Sequence, residues 1–257
     1  MSRIANAFSN GKAFIAFFTC GDPDLAVSKA SILAAVENGA DLIELGIPFS
    51  DPTAEGPVIS EASNRALLGG VTTDRIFELA KELRAETDVP LVFMTYANVV
   101  FSYGTERFLE KSASCGIDGL ILPDLPFEEK EEFRPACRRF GVDLISLIAP
   151  TSKNRIAMIA KEAEGFIYLV SSLGVTGMRS EITTDLDSIV KVIRENTSIP
   201  CAIGFGISSP EMAANMATKA DGVIVGSAIV KLIAESGENA PQAAGRFIRE
   251  MKDAISG

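Results

Sequence analysis

The chain has 257 residues, 34 acidic against 24 basic side chains, a formal net charge of −10, and 47% apolar residues. A length near roughly 250 residues suits one α/β barrel or two small domains, and this composition excludes a disordered, collagen-like or fibrous chain. No apolar run reaches the roughly 18 residues of a membrane span, and the acidic balance argues against a nucleic-acid partner.

Short apolar runs rich in Val, Ile and Phe recur along the chain at 14–19, 42–47, 91–96, 119–123, 143–148, 165–170, 200–205 and 222–226. They are nearly continuous in hydrophobicity, as expected for strands covered on both faces. Amphipathic stretches lie between them, such as Leu25, Ile32, Leu33, Ala35 and Val36, then Ile76, Leu79, Ala80 and Leu83. Asp24, Thr72 or Thr73, and Ser208 or Ser209 followed by Pro210 stand where helices should start. Gly39-Ala40-Asp41, Gly116-Ile117-Asp118 and Gly141-Val142-Asp143 each read as a helix stop leading into a strand. Eight such units predict a single-domain (β/α)8 TIM barrel over residues 1–257. A doubly wound open sheet is the competing fold, but Thr19-Cys20-Gly21-Asp22-Pro23 after the first strand lacks the dinucleotide fingerprint.

The chain has no histidine, which removes His-based triads and His metal sites. Acid–base chemistry therefore falls to Asp, Glu, Tyr, Lys or Cys. Cys20, Cys115, Cys137 and Cys201 form no C-x-x-C pair, so no metal site is expected. The first residues lack the apolar stretch of a signal peptide, and a soluble, cytoplasmic chain is expected.

Glu44 stands inside the apolar run Leu42-Ile43-Glu44-Leu45-Gly46. A buried carboxylate there needs a cationic partner or a raised pKa. Few basic residues occupy the other strand runs, which favours a chemical role over a structural ion pair. The following loop, residues 48–57, carries Asp51 and Glu55 among three prolines. Gly204-Phe205-Gly206-Ile207-Ser208 and Gly226-Ser227-Ala228 follow the seventh and eighth predicted strands, where barrels commonly bind phosphate. Leu173-Gly174-Val175-Thr176-Gly177 follows the sixth and reads equally well as a lid or as a plain surface loop.

With these stretches in order, the chain resembles the tryptophan synthase alpha subunit family. The match is carried by 17–23, Glu44-Leu45-Gly46-Ile47-Pro48-Phe49-Ser50-Asp51-Pro52, Tyr96-Ala97-Asn98, Pro123-Asp124-Leu125-Pro126, Gly174-Val175-Thr176-Gly177, 204–208 and 226–230. The resemblance implies retro-aldol cleavage of indole-3-glycerol phosphate to indole and glyceraldehyde 3-phosphate. It implies Glu44 as acid–base residue, Glu55 as the carboxylate on the indole N–H, and Tyr168 as an active-site tyrosine. Phe17, Tyr96 and Ile121 would line the indole pocket, and Gly177, Gly204, Phe205, Gly206, Gly226 and Ser227 would surround the phosphate. Thr176 would be the lid threonine. No cofactor is implied for this chain; pyridoxal phosphate belongs to a beta subunit in an alpha2-beta2 heterotetramer, docked near Pro48, Asp51, Asn98 and Pro126.

The chain departs from the family in carrying Glu55 where Asp is usual and Ser60 where Gln is frequent. A displacement of about 1 Å from the added methylene could cost about 100-fold in rate. Three other readings stay open on the sequence: a stand-alone lyase, a weakened paralogue that only modulates a beta subunit, and another phosphate-binding barrel lyase or isomerase.

Overall fold

The computed structural model describes residues 2–171, 185–204 and 206–256. Eight parallel strands close on themselves in sequence order. They are β1 (Ala13–Thr19), β2 (Leu42–Gly46), β3 (Leu91–Met94), β4 (Gly119–Ile121), β5 (Asp143–Ile148), β6 (Glu164–Val170), β7 (Cys201–Gly204) and β8 (Gly222–Val225). Each coincides with one expected apolar run. The third and fourth stop two residues early, because Tyr96 leaves the sheet to start a helix and β4 turns at Leu122.

The helices are α1 (Arg3–Ala7), α2 (Leu25–Glu37), α3 (Pro57–Leu68), α4 (Thr73–Glu86), α5 (Ala97–Tyr103) and α6 (Thr105–Ser114). They continue with α7 (Arg134–Phe140), α8 (Lys153–Lys161), α9 (Leu186–Asn196), α10 (Pro210–Lys219), α11 (Ser227–Ser236) and α12 (Ala240–Ile255). The expected starts are present. Asp24 accepts from the Ala26 and Val27 amides at 2.8 and 2.9 Å, Thr72 caps α4, and Ser209 caps α10 with Pro210 in its first turn. Each satisfies helix N–H groups that have no partner within the helix.

Side chains on alternate strand positions separate two cores, as a period of two requires. Phe14, Ala16 and Phe18 of β1, with Ile43 and Leu45 of β2, face outward and pack under the helices. Ile15, Leu42, Val92, Ile121, Ile145, Phe166, Tyr168, Ala202 and Ile224 fill the barrel interior. At the N-terminal mouth, Ile4 of α1 joins that interior cluster, and the Phe8 ring lies 5.9 Å from Phe166.

One irregularity interrupts the wall. Between β5 and β6 the register passes from Ile145–Glu164 to Ser146–Ile167. Gly165 makes the bulge with φ +64°, and a Cβ there would lie 2.7 Å from Ile145 Cδ1. Only glycine combines that backbone with that approach.

Candidate active site

Strand register decides which side chains meet at the C-terminal mouth. Phe17 pairs with Glu44, and Glu44 with Val92. Phe17, Glu44 and Tyr168 each stand two residues before the end of their strand and face inward. Glu44 is fully buried, and among the described residues neither of its carboxylate oxygens has a hydrogen-bond partner. No ion pair holds Glu44 among the described residues. Burial without a partner pushes the Glu44 carboxyl up to about 8. Tyr168, also buried, is pushed up by burial first and then by the negative charge of Glu44. A Cβ on Gly204 would lie 2.6 Å from the Tyr168 hydroxyl, so Gly204 leaves the space that this ring occupies.

Glu55 is half-buried on the loop after β2. Its Oε2 is buried with no partner among the described residues. Burial brings the Glu55 carboxyl up to about 7, against a smaller lowering by the neighbouring Tyr96 hydroxyl. Tyr96 also accepts from the Ala54 amide at 3.1 Å, and its ring lies 5.2 Å from Phe49. Burial and the Glu55 charge push the Tyr96 phenol up.

The apolar surround contains the expected Phe17 and Ile121 together with residues that the sequence reading missed. Ile59 and Ala62 of α3, Val230 of α11 and Met94 of β3 pack on Phe17. Met94 pairs with Gly46 and Ile121, so counting alternate positions from Glu44 would have found it. A cavity of about 540 Å³ runs from Met94, Ala54, Leu147 and Val170 out past Pro123 and Pro126. It lies on the β4–β6 side of the mouth, and neither Glu44 nor Glu55 lines it.

On the opposite side, β7 pairs with β8, which makes the loops after them neighbours. Gly206 has φ +85° and leads to Ser209. Gly226 caps α11 with no side-chain hydrogen bond, leaving the first amides of α11 without a side-chain partner. Amides at such a helix start can hold a phosphate without Lys or Arg. Thr176, Gly177 and Phe205, expected in the lid and the phosphate site, lie outside the described residues. Among the described residues no cluster of His, Cys, Asp and Glu could hold a metal ion, and no helix is long and apolar enough to cross a membrane.

Comparison with known proteins agrees with this arrangement. Residues 4–256 match the family model for the tryptophan synthase alpha chain. The chain is 48% identical over 255 residues to the tryptophan synthase alpha chain of Lacticaseibacillus casei, covering 99% of this chain and 96% of that protein. It is 49% identical over 258 residues to that of Lactiplantibacillus plantarum, covering 100% and 97%. A solved structure of Mycobacterium tuberculosis tryptophan synthase superimposes with a TM-score of 0.91 at 34% identity, covering 100% of this chain and 99% of that one. The chain belongs to the tryptophan synthase alpha chain family, the lyases that act on indole-3-glycerol phosphate in tryptophan biosynthesis.

Proposed function

We propose that Glu44 and Glu55 divide the retro-aldol cleavage of indole-3-glycerol phosphate between them. The observation that carries this reading is a fully buried, unpartnered carboxyl inside the barrel, held protonated at neutral pH by its surroundings. Glu44 gives its proton to indole C3, which places positive charge toward the ring nitrogen. Glu55 Oε2 faces that charge and accepts from the indole N–H. The bond between C3 and the glycerol carbon then breaks, and its electron pair returns to the ring. The adjacent hydroxyl becomes the aldehyde and passes its proton to the ionised Glu44, which restores the starting state. Tyr168 stands beside Glu44 on the substrate's side of the barrel, and Phe17, Tyr96, Ile121 and Met94 surround the indole.

The phosphate rests on the amides of Gly206, Gly226 and Ser227, with Gly204 giving close approach. The protons balance on the chain's own carboxyls, so this half of the synthase requires no cofactor, and pyridoxal phosphate belongs to the beta partner. Asp51, Asn98 and Pro126 are exposed on loops and α5 around the same mouth, whereas Pro48 is buried beneath them. Phe101, 70% exposed and one helical turn from Asn98, belongs with that face. We assign this face to the beta subunit in an alpha2-beta2 assembly. The four cysteines are free thiols, which suits a reducing cytoplasm.

The test is release of glyceraldehyde 3-phosphate from indole-3-glycerol phosphate, by the chain alone and with its native beta subunit. Slow cleavage that accelerates with the beta subunit supports the reading. Fast cleavage that the beta subunit leaves unchanged would instead identify a free lyase. No cleavage in either mixture would overturn the assignment of the two carboxyls.

A further inference from the structure

We propose that this chain carries a second binding compartment, beside the catalytic pocket and distinct from it, for a neutral planar aromatic molecule of indole's size. It is the cavity of about 540 Å³ on the side where the barrel wall parts between β4 and β5. Glu44, Glu55, Phe17 and Tyr168 do not line it, so it goes beyond the cleavage reaction proposed above.

Three features of the fold carry it. The first is a split in the wall. β4 and β5 pair only at Gly119–Asp143 and Leu120–Leu144, while β5 goes on pairing with β6 as far as Ile148–Leu169. The cause is local: Pro123 has no N–H to give to a ladder, and the Leu122 carbonyl takes the Leu125 amide at 3.2 Å, so the chain turns off the sheet. The second is exposure. β1, β2, β4, β7 and β8 are buried throughout, whereas β5 is only half-buried at Ser146 and Leu147. Ser146 stands on the outward side with Leu144 and Ile148, and Leu147 packs with the interior. The third is the lining, which comes from both sides of the wall. Leu144 and Ile159 belong to the core under the helices, Ile145 and Leu147 to the barrel interior. A cavity confined to one face of the sheet would not touch both sets.

The chemistry of the lining selects the ligand. Met94, Leu122, Leu125, Leu147 and Val170 make the throat apolar. Met94 also packs on Phe17, so the inner end adjoins the indole surround. The outer end is framed by three cations, and each is paired. Lys130 holds Glu162 at 2.5 Å, Arg134 holds Glu162 at 2.7 Å, and Arg155 holds Glu128 at 2.6 Å. A charged ligand would have to compete with one of these pairs, whereas a neutral one leaves all of them in place. A slit between two diverging strands is narrow in one direction, which suits the plane of a ring. The volume lies within the range of about 300–1,000 Å³ typical of small-molecule sites, and Ser146 and Thr151 contribute the few hydroxyls that such sites use for orientation.

The chain contains no tryptophan, so indole fluorescence excited beyond the tyrosine band reports on indole alone. The experiment titrates wild type, Ser146→Ala and Ser146→Phe with indole, by fluorescence and by equilibrium dialysis. The catalytic pocket is kept full with indole-3-propanol phosphate, an unreactive analogue of the substrate. Wild type and Ser146→Ala should each still take up one indole per chain, and Ser146→Phe, whose ring fills the gap between the strands, should bind it at least about tenfold more weakly. Cleavage of indole-3-glycerol phosphate should keep its kcat in both variants. No uptake by the analogue-filled wild type, or equal uptake by all three chains, would overturn the proposal. A measurement that needs no variant to fold is the methyl spectrum of wild type labelled at Leu and Ile. Indole added to the analogue-filled chain should shift Leu144 and Ile159, which line the outer half of the cavity. Shifts confined to Ile121 inside the barrel would return the indole to the catalytic pocket and sink the idea. Neither readout needs turnover, so a wild type that fails to cleave the substrate would count against the functional reading and not against this one.

Discussion

Glu44 shows how neighbours alone set the protonation of a single residue. The interior places Val92, Ile121 and Phe17 around or beside it and, among the described residues, offers no cation. Desolvation therefore favours the acid form at neutral pH, the form that the proposed proton transfer to C3 uses. Burial raises both carboxyls, Glu44 further than the half-buried Glu55. The proposed roles use that order, with Glu44 as the acid and Glu55 as the carboxylate. The expected pH–rate profile for kcat/KM is a bell whose acid limb belongs to Glu55 and whose basic limb belongs to Glu44. Glu44→Gln should lower kcat by about 10²–10⁴-fold while leaving the melting temperature at or above that of the wild type. A variant that retains wild-type kcat would remove Glu44 from the chemistry. Glu44 was legible in the sequence because a charged residue inside an apolar run is conspicuous. The meeting of Tyr96 with the Ala54 amide was not, because the two are far apart in the chain and only the fold brings the loop after β2 to the start of α5.

At the scale of elements, the aspartates that precede the strands explain much of how the barrel closes. Asp41, just before β2, accepts from the Phe14 amide of β1 at 2.7 Å, and its own amide donates back to Phe14. Asp118 does the same for Leu91 of β3, and Asp221 for Cys201 of β7. Each carboxylate also holds a cation from the helical layer: Lys252 on Asp41, Arg84 and Arg3 on Asp118, and Arg194 on Asp221. Strand, neighbouring strand and helix are thereby joined at one side chain. In the sequence, two of these aspartates stood out in the Gly-x-Asp segments, but the segments gave only helix ends at Gly39 and Gly116. The recipient amide is a long-range partner and carries no local signal. Asp143 of the third segment behaves differently. Burial, then Glu164 and Asp118, pushes it up to about 6. Asp118 and Arg84 are both nearly buried, so Asp118→Ala takes from Arg84 the only carboxylate it pairs with among the described residues, while Arg84 keeps the Gly116, Thr87 and Val89 carbonyls, and leaves the Leu91 amide without its acceptor. It should cost about 3–5 kcal/mol in urea unfolding, against about 1 kcal/mol for Asp24→Ala at the exposed cap of α2. Equal losses at both sites would show that the Asp118 pairing contributes little.

For the whole molecule, the same buried acid that we propose for catalysis weakens the fold as pH rises. Glu44 titrates near 8 when folded and near 4.5 when unfolded, so the folded state binds more proton between those values. Its favourable contribution is complete below about 4.5 and is lost as pH climbs through about 8. Glu55 adds the same sign over a narrower window, ending near 7. Thermal melts of wild type and Glu44→Gln should therefore diverge with pH, the variant gaining steadily and levelling above about 8. Parallel curves would mean that Glu44 is ionised in the folded protein throughout. Assembly belongs to this scale too. Phe101→Asp, on the exposed side of α5, should weaken association with the beta subunit by at least about tenfold while leaving cleavage by the isolated chain unchanged. Unchanged association would place the partner elsewhere. The eightfold repeat made the barrel readable from the sequence, since each strand announced itself as an apolar run. The extra helices α3 and α5 did not stand out, because they interrupt the simple alternation that made the rest visible.

The plug formed by Ile4 and Phe8 has a consequence for traffic. With one end stopped and the interior filled with side chains, the barrel is a cup with a single rim. Substrate arrives over that rim, and both halves of the cleaved molecule must depart over it. On the proposed docking, a second protein seated on the rim would do more than receive a product. It would set which fragment leaves first and which one waits, and the order of release would be a property of the pair of proteins and not of the cup alone.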